Sequence, residues 1–201
     1  MEEEQTIHRT RSERRRTPLA MFGMGIGAIA ALSWPFLRPG VKRTAPYVSA
    51  GNSLMSRVRS NCAHIFSSSA DGCKKRFVDL GSGNGIVVRY VASSFPSHSF
   101  VGVENNWVLV WWSRFLALRE RTPNAKFVRG DLFRTSIAEF DVIYVCLVPA
   151  MMQQLETKIV REAKNGTVVI CGRFPLPSLQ PTTTMPGGAV DGIWVYEIAK
   201  R

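Results

Sequence analysis

Histidine and cysteine are scarce, with three and four residues respectively among 201. Cys62, Cys73, Cys146 and Cys171 form no C-x-x-C pair and have no histidine pair nearby, so neither a metal centre nor a disulfide framework is expected. Acidic residues are also few: 15 Asp and Glu stand against 26 Lys and Arg, a formal net charge of +11 with a pI near 10.1. That imbalance implies an acidic or membrane-surface partner. Nucleic acid is the rival, but no nucleic-acid motif accompanies the charge. Much of it lies in the first 43 residues, in Arg9, Arg11, Arg14, Arg15, Arg16, Arg38, Lys42 and Arg43, which speaks for membrane topology rather than groove reading. With 45% hydrophobic and 20% charged residues the chain is globular in composition, and its length allows one domain plus an appendage.

Ionisable side chains are missing altogether from Pro18 to Leu37, a span of about 20 residues, the length that crosses a bilayer. Residues 1 to 17 before it are polar, mixed in charge and expected to be disordered. Three readings of 18 to 37 compete: a spanning anchor, a cleaved secretory signal and an uncleaved mitochondrial targeting anchor. The absence of a disulfide pattern weighs against secretion. A buried helix of the soluble domain would need apolar cover on all sides. Cations flank both ends, so orientation stays open.

The rest of the chain is organised around Phe77-Val78-Asp79-Leu80-Gly81-Ser82-Gly83-Asn84-Gly85, an apolar run that stops in a glycine-rich turn. Ile86 to Phe95 reads as the helix that follows it. Strand, glycine loop and helix together direct free backbone amides at one place. The G-x-G-x-x-G spacing of dinucleotide folds is absent, since the third glycine comes one residue early and Ile86 stands in its place. Asp79 at the loop's entrance would also repel a pyrophosphate. A cationic ligand is favoured instead. S-adenosylmethionine carries a sulfonium and an ammonium group, and D-L-G-S-G-x-G is the pattern of its seven-strand methyltransferases.

Ser99 to Val103 reads as a second strand ending in Glu104, about 20 residues beyond the loop, where nucleotide folds place a ribose-binding carboxylate. Its two oxygens match a vicinal diol. The alternative is an acid interacting with the dipole of the next helix. That helix, Asn106 to Arg121, carries Trp107, Val110, Trp111, Arg114 and Leu118 at helical spacing with Trp112 and Phe115 beside them, aromatics read as core, with Trp107 the one placed to touch a ligand. Lys126 to Arg129 is a third strand. Asp131 falls at its carboxyl end and is either an acceptor for an adenine amino group or a turn residue. Asp141 to Val148 reads as a central strand that puts Leu147, Val148 and Pro149 at the mouth of the site. Residues 150 to 163 form an amphipathic helix, Thr167 to Cys171 a further strand, and Ile193 to Ile198 an alternating strand suited to a sheet edge. Before the glycine loop, Leu54 to Phe66 forms a helix that packs on the core or lids the site. The alternation of strand and helix predicts an α/β, doubly wound sheet.

From about Ala45 onward these residues resemble the small mitochondrial protein-lysine methyltransferases that act on the adenine nucleotide translocase and on the c-subunit of ATP synthase. The resemblance rests on Tyr47-Val48, Asp79 to Gly85, Val103-Glu104 with Asn106 and Trp107, Gly130-Asp131-Leu132, Pro149 with Met151 and Met152, and Gly172-Arg173-Phe174-Pro175-Leu176-Pro177 with Gln180-Pro181. It implies a mostly parallel seven-strand Rossmann-like class I methyltransferase domain over 44 to 201, with 18 to 37 as an N-terminal membrane-anchor helix. It further implies S-adenosyl-L-methionine as cofactor, bound by Asp79, Gly81, Ser82, Gly83, Asn84, Glu104, Asn105, Asp131 and Leu132. The acceptor is then a lysine of a protein in the mitochondrial inner membrane, with no metal and no nucleic acid involved. The chain departs from the family where Asn84 replaces an aspartate, Ile86 an arginine and Ser49 a proline. Asn84 removes a negative charge beside a cationic cofactor, which keeps a catalytically silent, methyltransferase-like protein in view; a dinucleotide-dependent oxidoreductase is the weaker alternative. No side chain stands out as a general base.

Overall fold

The structure is a computed structural model, and it describes residues 52 to 67, 73 to 187 and 192 to 199. The tail, the apolar segment 18 to 37 and Tyr47-Val48 lie outside the described residues. Among those described, no helix is long and apolar enough to cross a membrane.

The chain runs α1 (Asn52–Ser67), β1 (Arg76–Leu80), α2 (Ile86–Ser94), β2 (Ser99–Glu104), α3 (Trp107–Arg119), β3 (Ala125–Arg129), β4 (Val142–Val145), α4 (Pro149–Glu162), β5 (Val168–Gly172), β6 (Thr183–Met185) and β7 (Ile193–Glu197). The seven strands form one sheet in the order β3-β2-β1-β4-β5-β7-β6. β1 to β5 are parallel, and β7 runs antiparallel to both β5 and β6. The strand order reverses between β1 and β4, and it is outside the carboxyl ends of strands at such a switch point that open α/β sheets bind ligands.

Both faces of the sheet are covered. Alternate residues of the central strands divide between two cores, because successive side chains point to opposite faces. Phe77, Phe100, Tyr144 and Ile170 pack with Leu54, Val58 and Cys62 of α1 and with Val88, Val91 and Ala92 of α2. Val78, Leu80, Ile143, Val145 and Val169 pack with Met152, Leu155 and Ile159 of α4. The doubly wound expectation holds for this reason. α2 is rich in β-branched residues and short, so its stability comes from this apolar face rather than from intrinsic propensity.

Two expectations fail. The strand from Ile193 is not at an edge: β6 pairs along it through Thr183↔Val195, Thr184↔Trp194 and Met185↔Ile193. The proline-rich stretch before β7 hides this three-residue strand. The aromatics of α3 are not core either. Trp107, Trp111, Trp112, Phe115 and Leu118 are 64%, 61%, 39%, 44% and 81% exposed, whereas Leu109, Val110, Ser113 and Ala117 face the sheet. A helix apolar on every side gives periodicity nothing to choose by. Close packing made the choice, since Ser113 has to fit beside Gly85 and Phe127.

That packing depends on Gly102 in β2. A Cβ built there would stand 2.6 Å from Phe127 Cδ1 and 2.7 Å from Ser82 Oγ, so the ring and the loop both occupy its place. Gly102→Ala is expected to lose about 1–3 kcal/mol, the usual cost of overpacking a dense core. Urea unfolding measures the loss, and Phe127→Leu in the same chain should recover part of it.

Candidate cofactor site at the glycine loop

The loop between β1 and α2 is fixed by its own backbone. The amides of Gly81 and Ser82 donate to the Val103 carbonyl at 2.9 and 3.0 Å, tying the turn to the end of β2, and the Gly85 amide donates to Ser82 O at 2.8 Å. Gly81 and Gly85 have φ of 90° and 69°, in the left-handed region where a Cβ clashes with the backbone. At Gly85 there is no room for one in any case: Phe127 Cε1 would lie 2.4 Å away and Ser113 Oγ 2.8 Å. The third glycine therefore serves helix packing. Gly81 differs, because it is exposed and roofed only by Leu147 and Leu132, whose Cδ2 atoms lie 3.2 and 3.9 Å from its Cβ position.

Asp79 lies one residue from the end of β1, paired in register with Gly102 and Tyr144, and its side chain is 3% exposed. Burial, and then the neighbouring Glu104 carboxylate, push its pKa well above the ordinary Asp value. Among the described residues no cation pairs with it. Glu104 closes β2 with both oxygens engaged: Oε2 accepts the Gly83 amide at 3.0 Å and Oε1 the Asn106 amide at 2.8 Å. The acid thus joins the loop to the start of α3. Each carboxylate oxygen accepts two hydrogen bonds, so one acceptor position on each remains for a diol.

The other expected residues take different places along the same edge of the sheet. Ser82 is buried; its amide serves the turn while its hydroxyl, near Gly102, has no hydrogen-bond partner among the described residues. Asn84 Oδ1 accepts the Ile86 amide at 3.2 Å at the start of α2. Asn105 is exposed and its carbonyl accepts from Arg129 Nε at 3.3 Å. Asp131 is exposed beyond β3, where Oδ1 accepts the Phe133 amide at 2.8 Å and its carbonyl accepts the Thr135 amide and hydroxyl, each at 2.9 Å. The turn role anticipated for Asp131 is present; its second oxygen accepts no bond within that turn. The strand ends of β1, β2 and β3 therefore carry Asp79, Glu104 and, two residues beyond its strand, Asp131, in neighbouring positions along one edge.

Several contributors were not anticipated. Arg89 on α2 is 5% exposed; its Nη1 donates to the Asn84 carbonyl at 2.5 Å and its Nε to Glu120 Oε2 at 2.8 Å, bracing the loop from behind. A lone cation inside Val87-Val88-Arg89-Tyr90-Val91 was its signal in the sequence. Asn106 caps α3 by accepting the Val108 amide on Oδ1 at 3.0 Å. Tyr144 and Cys146 lie on the Asp79 side of β4, and each titrates above its ordinary range chiefly because of burial. Arg173 follows β5 with φ of 72°, a strained conformation for a bulky residue, held by its amide bond to Gly192 O at 2.8 Å. Its charge acts on both Tyr144 and Cys146. Nothing short of the fold brings 144 and 146 beside 79, or 173 near 144 and 146.

A buried carboxylate without a cation, a second carboxylate with spare acceptor positions and an exposed glycine under two leucines fit a ligand that is cationic at one end and carries a ribose at the other. They fit a pyrophosphate poorly. Among the described residues no cluster of histidine, cysteine and acidic side chains is arranged to hold a metal.

The sheet order and this loop define a class I methyltransferase fold. Among solved structures, an RNA methyltransferase from Salinibacter ruber in complex with S-adenosyl-L-homocysteine superposes with a TM-score of 0.68 at 24% identity, covering 77% of this chain and 95% of that one. A putative O-methyltransferase from Klebsiella pneumoniae gives 0.58 at 13% identity, over 86% and 97%. Residues 79–183 match the ANTKMT methyltransferase domain. The ATP synthase c-subunit lysine N-methyltransferase of Rattus norvegicus is 33% identical over 182 residues, 89% of this chain and 79% of that protein. The adenine nucleotide translocase lysine N-methyltransferase of Mus musculus is 32% identical over 182 residues, covering 88% and 74%. The chain belongs to the ANTKMT methyltransferase family.

The Asp79 charge gives a test that needs no ligand. Its folded pKa is raised, so the unliganded fold holds the proton more tightly than the unfolded chain does. That contribution is present below the unfolded Asp value and is lost as pH rises toward the folded value. Asp79→Asn, which carries no charge at any pH, should accordingly be more stable than the parent at neutral pH. The difference should close as pH falls below the ordinary Asp range, and thermal unfolding across that range measures it.

Proposed function

We propose that this chain is a protein-lysine N-methyltransferase that uses S-adenosyl-L-methionine and acts on a lysine of a mitochondrial inner-membrane protein, the ATP synthase c-subunit or the adenine nucleotide translocase. The observation that carries the reading is Asp79, a carboxylate buried with no cation among the described residues, directly beneath the glycine loop. The names of the relatives support the substrate class.

When bound, S-adenosyl-L-methionine supplies an electrophilic methyl group on a sulfonium. The residues of this chain have to place and desolvate the acceptor. Asp79 would hold the positive end of the cofactor, a cation favouring the ionised form of this buried carboxyl. Glu104 would offer its spare acceptor positions to the ribose, and Asp131 and Leu132 would hold the adenine. Gly81, Ser82, Gly83 and Asn84 bring backbone close to the cofactor between the two acids. Leu147, Val148 and Pro149 form the apolar mouth where the lysine enters. An ammonium has no lone pair, so the acceptor has to react as the free amine; burial at that mouth beside a second cation would lower a pKa that is about 10.4 in water and favour loss of the proton to bulk water.

Two further parts of the reading rest on sequence. The span from Pro18 to Leu37 is the membrane anchor, and the location is the mitochondrial inner membrane. The domain from residue 44 onward then works at the membrane surface.

The test is incubation of the full chain with methyl-labelled S-adenosyl-L-methionine and mitochondrial membranes. Label is expected on a small membrane protein at a lysine, and Asp79→Ala should lower cofactor affinity by about tenfold or more, the scale of a lost charge-assisted contact. Intact cofactor binding with no labelled protein would refute the substrate class. A folded chain that takes up no cofactor would instead favour the silent reading that Asn84 raises.

A further inference from the structure

The outer surface of α3 has no use in the chemistry above. At 100° per residue, Trp107, Trp111, Phe115 and Leu118 fall within an arc of about 80° on one side of the helix. All four are exposed, and Trp112 is exposed beside them. The rings lie against one another: Trp111 and Phe115 stack with centroids 6.1 Å apart at 8°, and Trp112 and Phe115 at 5.6 Å and 29°. This is a ridge of contiguous apolar surface, of the sort that monomeric proteins keep small unless it is used.

The charges around the ridge are of one sign. Arg114 and Arg121 lie on one flank and Arg119 on the other, all exposed. The single acid of the segment, Glu120, points away and is paired with Arg89 at 2.8 Å. An aromatic crest with cations on both sides complements a surface that is apolar within and anionic at its boundary. A bilayer carrying anionic headgroups has that layering, and indole rings collect at its interface. At 13 residues the helix is too short to span a bilayer and suits lying in its plane. A protein partner would need a groove that takes an aromatic crest, whereas among the described residues of this segment the charges flanking it are Arg114, Arg119 and Arg121.

We propose that the outer face of α3 is a second membrane contact, which seats the domain on an anionic lipid surface with Trp107, Trp111, Phe115 and Leu118 in the headgroup region. The contact stands apart from the span 18 to 37, and it deepens the reading of a membrane-protein acceptor, on which its functional arm rests. α3 starts three residues after Glu104, so seating it brings the edge of the cofactor site to the lipid surface. A lysine close to that surface is then within reach, and the domain is held at a fixed angle rather than hanging from a linker.

Trp34 and Trp194 are the only tryptophans outside α3, so Trp34→Phe with Trp194→Phe in the full chain leaves emission from α3 alone. This protein is mixed with phosphatidylcholine–phosphatidylglycerol vesicles in which part of the phosphatidylcholine carries brominated acyl chains. A blue shift with quenching by the brominated lipid is expected, weakening at high salt and in phosphatidylcholine alone. Phe115→Glu and Leu118→Glu should each lower the ratio of quenched to unquenched α3 emission of the bound protein about tenfold, the effect of withdrawing one apolar side chain. Both variants should bind S-adenosyl-L-methionine as the parent does and methylate a detergent-solubilised acceptor normally, while losing activity on the same acceptor in membranes. Vesicle-bound protein whose α3 emission neither shifts nor is quenched would overturn the proposal. So would a shift that grows with protein concentration without lipid, which would assign the face to a second copy of the chain. If lipid quenches α3 but no acceptor is methylated in detergent, the contact stands and the substrate reading fails.

Discussion

A single uncompensated charge sets the terms for the rest of the domain. Asp79 is enclosed by the sheet on one side and the glycine loop on the other, with a second carboxylate, Glu104, close enough to raise its pKa further. In a medium that solvates charge poorly, two acids in that arrangement are costly unless a cation or a proton joins them. Gly81 and Ser82 are bound to Val103 and Gly83 to Glu104, which ties the loop to β2. The same hydrogen bonds that position the backbone for a ligand therefore keep the carboxylate in want of one. A methyl donor with a positive sulfur satisfies it; a pyrophosphate does not.

The elements around this point are spaced by packing rather than by contact with the ligand. Gly85 and Gly102 allow Phe127 and Ser113 to come between β2, β3 and α3, and Arg89 locks the far side of the loop to Glu120. Two of the glycines that look like ligand-binding residues or spacers in the sequence thus have their backbone against protein. Gly81 alone has an exposed backbone beneath Leu132 and Leu147. Since α3 must put its small residues inward to fit, its tryptophans are turned out. The aromatic ridge is a consequence of how tightly the loop is packed.

Asn84 illustrates how a departure from family pattern is tolerated. Its side-chain oxygen accepts the Ile86 amide and its carbonyl accepts Arg89, both tasks that an aspartate would perform equally well. The fold is indifferent to the exchange. Only the electrostatic balance with a cationic ligand changes, and Asp79 and Glu104 remain to supply it.

The order of strands and helices, the loop and the identities of Asp79, Glu104 and Asp131 were legible in the sequence, because each depends on local pattern: apolar runs, glycine spacing and distance along the chain. The same pattern misled where it was ambiguous. α3 is apolar on all sides and β6 is three residues in a proline-rich stretch, so neither its buried face nor the true sheet edge could be read locally. The burial that raises the Asp79 pKa, the approach of Tyr144 and Cys146 to it, and the exposure of the α3 aromatics were decided only by the tertiary structure. Each depends on residues far apart in the chain meeting across parallel strands, and solvent exclusion belongs to the assembled sheet rather than to any segment of it.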